Sequence, residues 1–148
     1  DVEDEDHMPT GLELMQMIER GDLPPPSIGA LFNMGMTLAD FGRVMFTGVA
    51  NSSHLNPAGG VHGGFAATLL DSACGCAVLS TLPEGQGYTT IDLAIKMLRP
   101  VPQSETLYCE GKIQRPGRTV AFAEAWLRTK DDKLLAHATS SCAVFPLG

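Results

Sequence analysis

Apolar and polar positions follow two different rhythms along this chain, and each predicts a different element. From Phe65 to Leu82 nearly every residue is apolar or small, with no alternation, which predicts one helix buried around most of its circumference. Before it the rhythm is two. Met36 and Leu38 lead to a turn at Ala39-Asp40-Phe41-Gly42, and Val44, Phe46 and Gly48 then alternate with Arg43, Met45, Thr47 and Val49, a β-hairpin over 34–50. After the helix, four more strand patterns cover about 88–98, 105–114, 119–129 and 133–145. Arg115-Pro116-Gly117-Arg118 and Lys130-Asp131-Asp132-Lys133 are turn sequences between them, so an antiparallel meander is expected. One apolar helix with about six antiparallel strands is an α+β pattern, a sheet wrapped around a central helix.

The N-terminal stretch has its own logic. Thr10 and Glu13 form a capping-box pattern, Leu14, Met15 and Ile18 give a narrow apolar stripe, and Gly21 is a stop, which predicts a short amphipathic helix. Pro24, Pro25 and Pro26 then make a stiff linker. Residues 1–26 therefore divide off as an acidic segment with a short helix and a Pro-rich linker, and 27–148 as a single domain. The helix reads as an appendage over the core or part of an entrance cover.

With 148 residues and 44% hydrophobic content the chain suffices for one globular core. Gly63, Asp71 and Pro83 interrupt any run approaching the roughly 20 apolar residues of a membrane span, and the start from Asp1 to Asp6 is unlike a targeting peptide. A soluble, cytoplasmic protein is the expectation. Cys74, Cys76, Cys109 and Cys142 have no zinc-ligand spacing and fall within apolar patterns, so they read as reduced packing residues.

A net charge of −7 disfavours nucleic acid and anionic membranes as partners, yet the charge is uneven. Residues 1–95 hold two basic and twelve acidic residues, net −10, and residues 96–148 hold eight and five, net +3. That basic zone is either a solvated sheet edge with charged turns or a binding surface for a small polyphosphate, a description that coenzyme A fits.

Asp71 is the chemical oddity, a carboxylate inside an apolar helix, and such an acid is either satisfied or useful. Ala67, Asp71, Gly75 and Val78 fall on one stripe, so the acid is flanked by residues with almost no side chain, a groove that a ligand or another backbone can enter. Gly63 and Gly64 put bare N–H groups at the helix start, where the macrodipole favours developing negative charge. Acid and corner lie about two turns apart, on the order of 10 Å, which predicts that the acid of one subunit faces the glycine corner of another.

The run Asn56-Pro57-x-Gly59-x-Val61-His62-Gly63-Gly64-Phe65-x-x-x-Leu69-x-Asp71, with Gly87-Tyr88-Thr89-Thr90 and then Arg115-Pro116-Gly117-Arg118-Thr119, resembles the hotdog-fold acyl-CoA thioesterases of the phenylacetic-acid-degradation, or PaaI-like, type. The similarity runs over roughly residues 32 to 145 in the same order. It implies the hotdog fold, hydrolysis of an acyl-CoA to a carboxylic acid and free coenzyme A, no metal, and no cofactor beyond the coenzyme A moiety of the substrate. It implies a homodimer as the minimal unit and commonly a homotetramer.

By this resemblance Asp71 is the catalytic acid, acting as general base on water or as nucleophile. Asn56 faces the acid of the other subunit and orients water; alternatively it closes the turn before Pro57. His62 sits beside the thioester and hydrogen-bonds its carbonyl or supports the loop, or it is a simple cap. Gly63, or Gly64 beside it, offers a backbone N–H to an oxyanion. Thr90 and Asp92, read as sharing one strand face, line the thioester and pantetheine channel by this resemblance, or are ordinary solvent-facing positions of an alternating strand. Arg115, Gly117, Arg118 and Thr119 form a turn that by the same resemblance contacts coenzyme A, or is simply a charged hairpin turn. A hotdog enoyl-CoA hydratase or dehydratase and a non-catalytic acyl-CoA-binding protein stay open as alternatives.

Overall fold

The computed structural model describes residues 8–148. Three helices, α1 (Gly11–Glu19), α2 (Ile28–Leu31) and α3 (Gly63–Leu79), accompany six strands: β1 (Met34–Asp40), β2 (Arg43–Val49), β3 (Gln86–Met97), β4 (Thr106–Arg115), β5 (Val120–Thr129) and β6 (Leu134–Pro146). All pairings between strands are antiparallel, in the order β1-β2-β4-β5-β6-β3. The expected β1–β2 hairpin and the strand–turn–strand succession β4-β5-β6 are both present. The meander does not extend to β3, however, which pairs with β6 at the far edge. Alternation tells which residues form a strand and not which strand lies beside it. Pro100 and Pro102, which cannot donate to a ladder, break the chain between β3 and β4. That crossing is tied to β6 where Leu98 N–H donates to the Leu135 carbonyl (2.8 Å), and to the end of β2 where Ser104 N–H donates to the Ala50 carbonyl (2.9 Å).

The sheet wraps α3, whose Phe65, Leu69, Leu70, Ala73, Ala77 and Val78 are fully buried among inward residues of every neighbouring strand, such as Val44, Leu107, Leu127 and Cys142. The approach is close. A Cβ on Gly111 of β4 would lie 2.2 Å from the Ala73 carbonyl oxygen, so only glycine lets the strand touch the helix backbone there. The helix begins two residues before the apolar run because His62 caps it, and ends at Leu79, where the Ser80 hydroxyl donates to the Ala77 carbonyl and accepts from Gly42 N–H at 2.7 Å.

The capping box of α1 is present, Thr10 and Glu13 exchanging bonds of 3.2 Å. This helix is docked onto the core: Met15 is 2% exposed, Gly11 N–H donates to the Leu82 carbonyl, and the Gln16 amide donates to the Ala39 carbonyl. The short α2 was not foreseen after the proline linker. All four cysteines are free. Burial pushes the Cys74 and Cys76 thiols up to about 12, and the Cys109 and Cys142 thiols in the same direction, so all four pack as protonated thiols. Among the described residues no helix is long and apolar enough to cross a membrane.

Candidate active site

Asp71 projects from α3 toward β3, half-buried, and its Oδ1 accepts a hydrogen bond of 2.8 Å from the Thr90 hydroxyl. One turn on, the expected small-residue groove is closed: a Cβ on Gly75 would lie 2.5 Å from the Tyr88 ring, so this glycine seats the ring and the stripe is open only on the Ala67 side of the acid. Tyr88 and Thr90 both point inward, and burial raises the Tyr88 phenol well above its ordinary value, keeping it protonated.

The shared face predicted for Thr90 and Asp92 is not realised. Thr90 pairs with Cys142 and Asp92 with Ser141, leaving Ile91 as an extra residue, a β-bulge that shifts the alternation by one. Asp92 therefore faces outward and its Oδ1 accepts from Ser141 N–H at 2.8 Å, a bond that fastens the bulge. Tyr88 and Thr90 before the bulge, and Leu93 and Ile95 after it, carry the inward face.

The loop before α3 holds a second group. The Asn56 side-chain oxygen accepts from Ala58 N–H (3.0 Å) and Gly60 N–H (3.1 Å), so Asn56 does shape its own turn, and its acceptor is used in doing so. Its Nδ2 hydrogens are what it has left to offer a ligand. His62 caps α3, its Nδ1 accepting from Gly64 N–H at 2.7 Å. The Gly64 amide is thus consumed, which corrects its assignment to a substrate, whereas Gly63 N–H, first in the helix, has no acceptor among the described residues. With Nδ1 accepting, the proton of the His62 ring is on Nε2, on the exposed side.

His54, which the sequence reading passed over, fixes this loop. Its Nδ1 accepts from Asn51 N–H (3.0 Å), its Nε2 donates to the Leu31 carbonyl (2.8 Å), and its own carbonyl accepts from His62 N–H (2.8 Å). The ring is 8% exposed, stacked on Phe32 and tilted against Phe65. The only sequence signal is Asn51 three residues ahead, a capping-box spacing with His in the reciprocal place.

Arg115 ends β4, and Gly117, Arg118 and Thr119 form the exposed turn to β5, held by Val144 N–H donating to the Thr119 carbonyl. Arg115 pairs with Phe122, Phe122 with Ser141 and Ser141 with Asp92, so the turn lies at the Thr90 end of the sheet, three strands across, roughly 14 Å away. Within one chain the structure brings Asp71 and Thr90 together, keeps Asn56, His62 and Gly63 in one loop, and leaves about 12 Å of helix between Gly63 and Asp71. No three His, Cys, Asp or Glu come together as metal ligands among the described residues.

A helix enclosed by an antiparallel sheet, with an acid at its middle and a free amide at its start, defines the hotdog class of the thioesterases. The chain belongs to the thioesterase superfamily, whose family pattern matches residues 58–136. A phenylacetic acid degradation-related protein of Ralstonia eutropha JMP134 is similar in structure, with a TM-score of 0.78 and 30% identity, covering 87% of this chain and 98% of its own. A protein of Streptococcus mutans UA159, solved bound to acetyl CoA, superposes with a TM-score of 0.71 and 27% identity, covering 77% of this chain and 90% of its own. Mouse acyl-coenzyme A thioesterase 13 is 34% identical over 85 residues, 57% of this chain and 60% of that protein. The first curated relatives are matched over 58% and 54% of their length, so the chain spans somewhat more than half of them.

Proposed function

We propose that this protein hydrolyses acyl-CoA thioesters to carboxylic acids and free coenzyme A, at a site completed by a second copy of the chain. The observation that carries the reading is the Asp71–Thr90 pair. Thr90 occupies Oδ1 and fixes the carboxylate plane, leaving Oδ2 to take a proton from water as it attacks the thioester carbon. In the other route Oδ2 attacks that carbon itself, coenzyme A leaves as the thiolate and takes a proton from solvent, and water cleaves the resulting anhydride to restore the carboxylate. Either route puts negative charge on the thioester oxygen. The Gly63 amide of the other copy, at a helix N-terminus and without an acceptor among the described residues of its own chain, suits that charge, and the Nδ2 of Asn56 adds a second donor.

The edge position of β3 supports the second copy. This strand of 12 residues has one side unpaired among the described residues and exposes Ile91 and Met97, the kind of edge that a two-fold partner covers. Exposed Val120 and Phe122 on the outer face suit a further contact between two dimers, and the free thiols fit a reducing compartment such as the cytoplasm. Arg115 and Arg118 would contact the phosphates of coenzyme A. The binding of acetyl CoA by the Streptococcus mutans protein and the name of the mouse relative support this choice of substrate.

The test is thiol release from a panel of acyl-CoAs, with Asp71→Asn as control. Asp71→Asn should lose at least about a hundredfold in turnover while keeping its fold. A folded variant with full turnover removes Asp71 from the chemistry, and binding without thiol release points to an acyl-CoA-binding protein.

A further inference from the structure

Beneath α1 and the proline linker lies a cleft of about 450 Å³. Its lining from α1, β1 and β2 is aliphatic, thioether or aromatic: Leu14, Met15, Ile18, Met34, Met36 and Phe46. Its floor is the next stripe of α3 beside the acid, made by Ser72, Cys76 and Leu79, and Tyr88 stands at its inner wall. Glu19 is its one charged lining residue and sits at the last turn of α1.

Two placements connect this cleft to the chemistry. Ser72 adjoins Asp71 in sequence, and Tyr88 precedes Thr90 by two positions on the same inward strand face, so the cleft begins within about one helical turn of the carboxylate. The ring of Tyr88, which lines the cleft, packs against Gly75, one turn of α3 beyond the acid. The roof is fixed, because Met15 is buried and Gly11 is bonded to Leu82, and the stiff linker spares a ligand the cost of ordering it. Flexible thioethers from Met15, Met34 and Met36 let the walls adapt to a chain.

We propose that this cleft is the acyl-chain site, that it takes an unbranched aliphatic chain of medium length, and that α1 with its linker sets that length. The assignment rests on the thioesterase reading for its substrate. At roughly 30 Å³ for a group the size of water, the cleft's volume corresponds to about fifteen such groups. Part of the volume is its open mouth, so chains of about six to ten carbons end inside it. A chain already lying past Tyr88 would leave its thioester carbon beside Asp71, and the nucleotide would extend the other way, out of this subunit.

The experiment uses the full chain and non-hydrolysable thioethers of coenzyme A with ethyl, butyl, hexyl, octyl and decyl groups, titrated calorimetrically. Affinity should rise about fourfold for each methylene buried, up to roughly the octyl compound, and then level off. Ile18→Phe fills the cleft from the roof and Ser72→Leu from the floor. Either should bring the plateau back to about the butyl compound, and Leu79→Ala should move it outward. If one filled variant does not fold, the other carries the comparison.

A wild-type affinity that ignores chain length, or a plateau unmoved by filling, overturns the acyl-site assignment whether or not acyl-CoAs are hydrolysed. Chain-dependent binding that shifts with the variants supports it, even if thiol release shows no turnover and the hydrolytic reading fails.

Discussion

Thr90→Val removes one hydroxyl and keeps the branched shape that suits β3, so it isolates the bond to Asp71. That bond, 2.8 Å long with a carboxylate as acceptor, belongs to the class of charged hydrogen bonds with a net value of about 1.5 to 3 kcal/mol. If all of it serves to hold the carboxylate in its reactive orientation, kcat falls roughly ten- to a hundredfold. KM for the acyl-CoA should move less than about threefold, because the Thr90 hydroxyl is engaged with Asp71 and would act through it. Steady-state thiol release reports both constants, and the burial of Cys74, Cys109 and Cys142 keeps the background of a thiol reagent low. Thr90→Ser returns the hydroxyl and should recover most of the rate. The reasoning is refuted by unchanged kcat in a folded Thr90→Val protein, or by Thr90→Ser losing as much as Thr90→Val.

Co-refolding Asp71→Asn with Asn56→Ala protomers should give heterodimers with one doubly damaged and one intact site. A random mixture should then recover about a quarter of the wild-type rate, and no recovery despite heterodimers seen by native mass spectrometry would mean that each chain carries its whole site. Changing Arg115 and Arg118 together to Ala should raise KM for acyl-CoA several-fold and leave a truncated thioester without the nucleotide unaffected; equal damage to both substrates would make the turn structural. The folded protein holds Cys74 and Cys76 protonated to about 12, above the 9.0 of free thiols, so stability is full below pH 9 and falls between pH 9 and 12. The fall should be roughly 1 kcal/mol per pH unit for each thiol, visible as a lower urea midpoint at about pH 10.5 than at about pH 8. Cys74→Ala should make that fall shallower by its own share and leave the rest, and a wild-type midpoint independent of pH would contradict the assignment.

Period and composition made the central helix and the β1–β2 hairpin legible, because burial on all sides and burial on one side leave different patterns. They could not place β3 beside β6, since pairing across the sheet depends on a crossing segment whose path no periodicity encodes. Asp71 stood out because a charge in an apolar helix is costly. Its bond to Thr90 joins residues 19 apart and needed the fold. Asp92 was misplaced by a single extra residue, Ile91, which carries no glycine or proline to announce a bulge. The choice between Gly63 and Gly64 turned on which amide the His62 ring takes, a rotamer fact that adjacent glycines do not reveal.

His54 has a consequence for how such a protein can be rebuilt from parts. Both its ring nitrogens are committed, one to the carbonyl that ends α2 and one to the loop that leads to the Gly63 corner. Cleft roof and Gly63 corner are therefore a single inheritable block running from α1 to the start of α3. A chimaera that borrows only the N-terminal helix and linker from a relative must also bring a carbonyl where Leu31 presents one, or the loop loses its anchor. The workable crossover point lies inside α3, after the corner and before the acid.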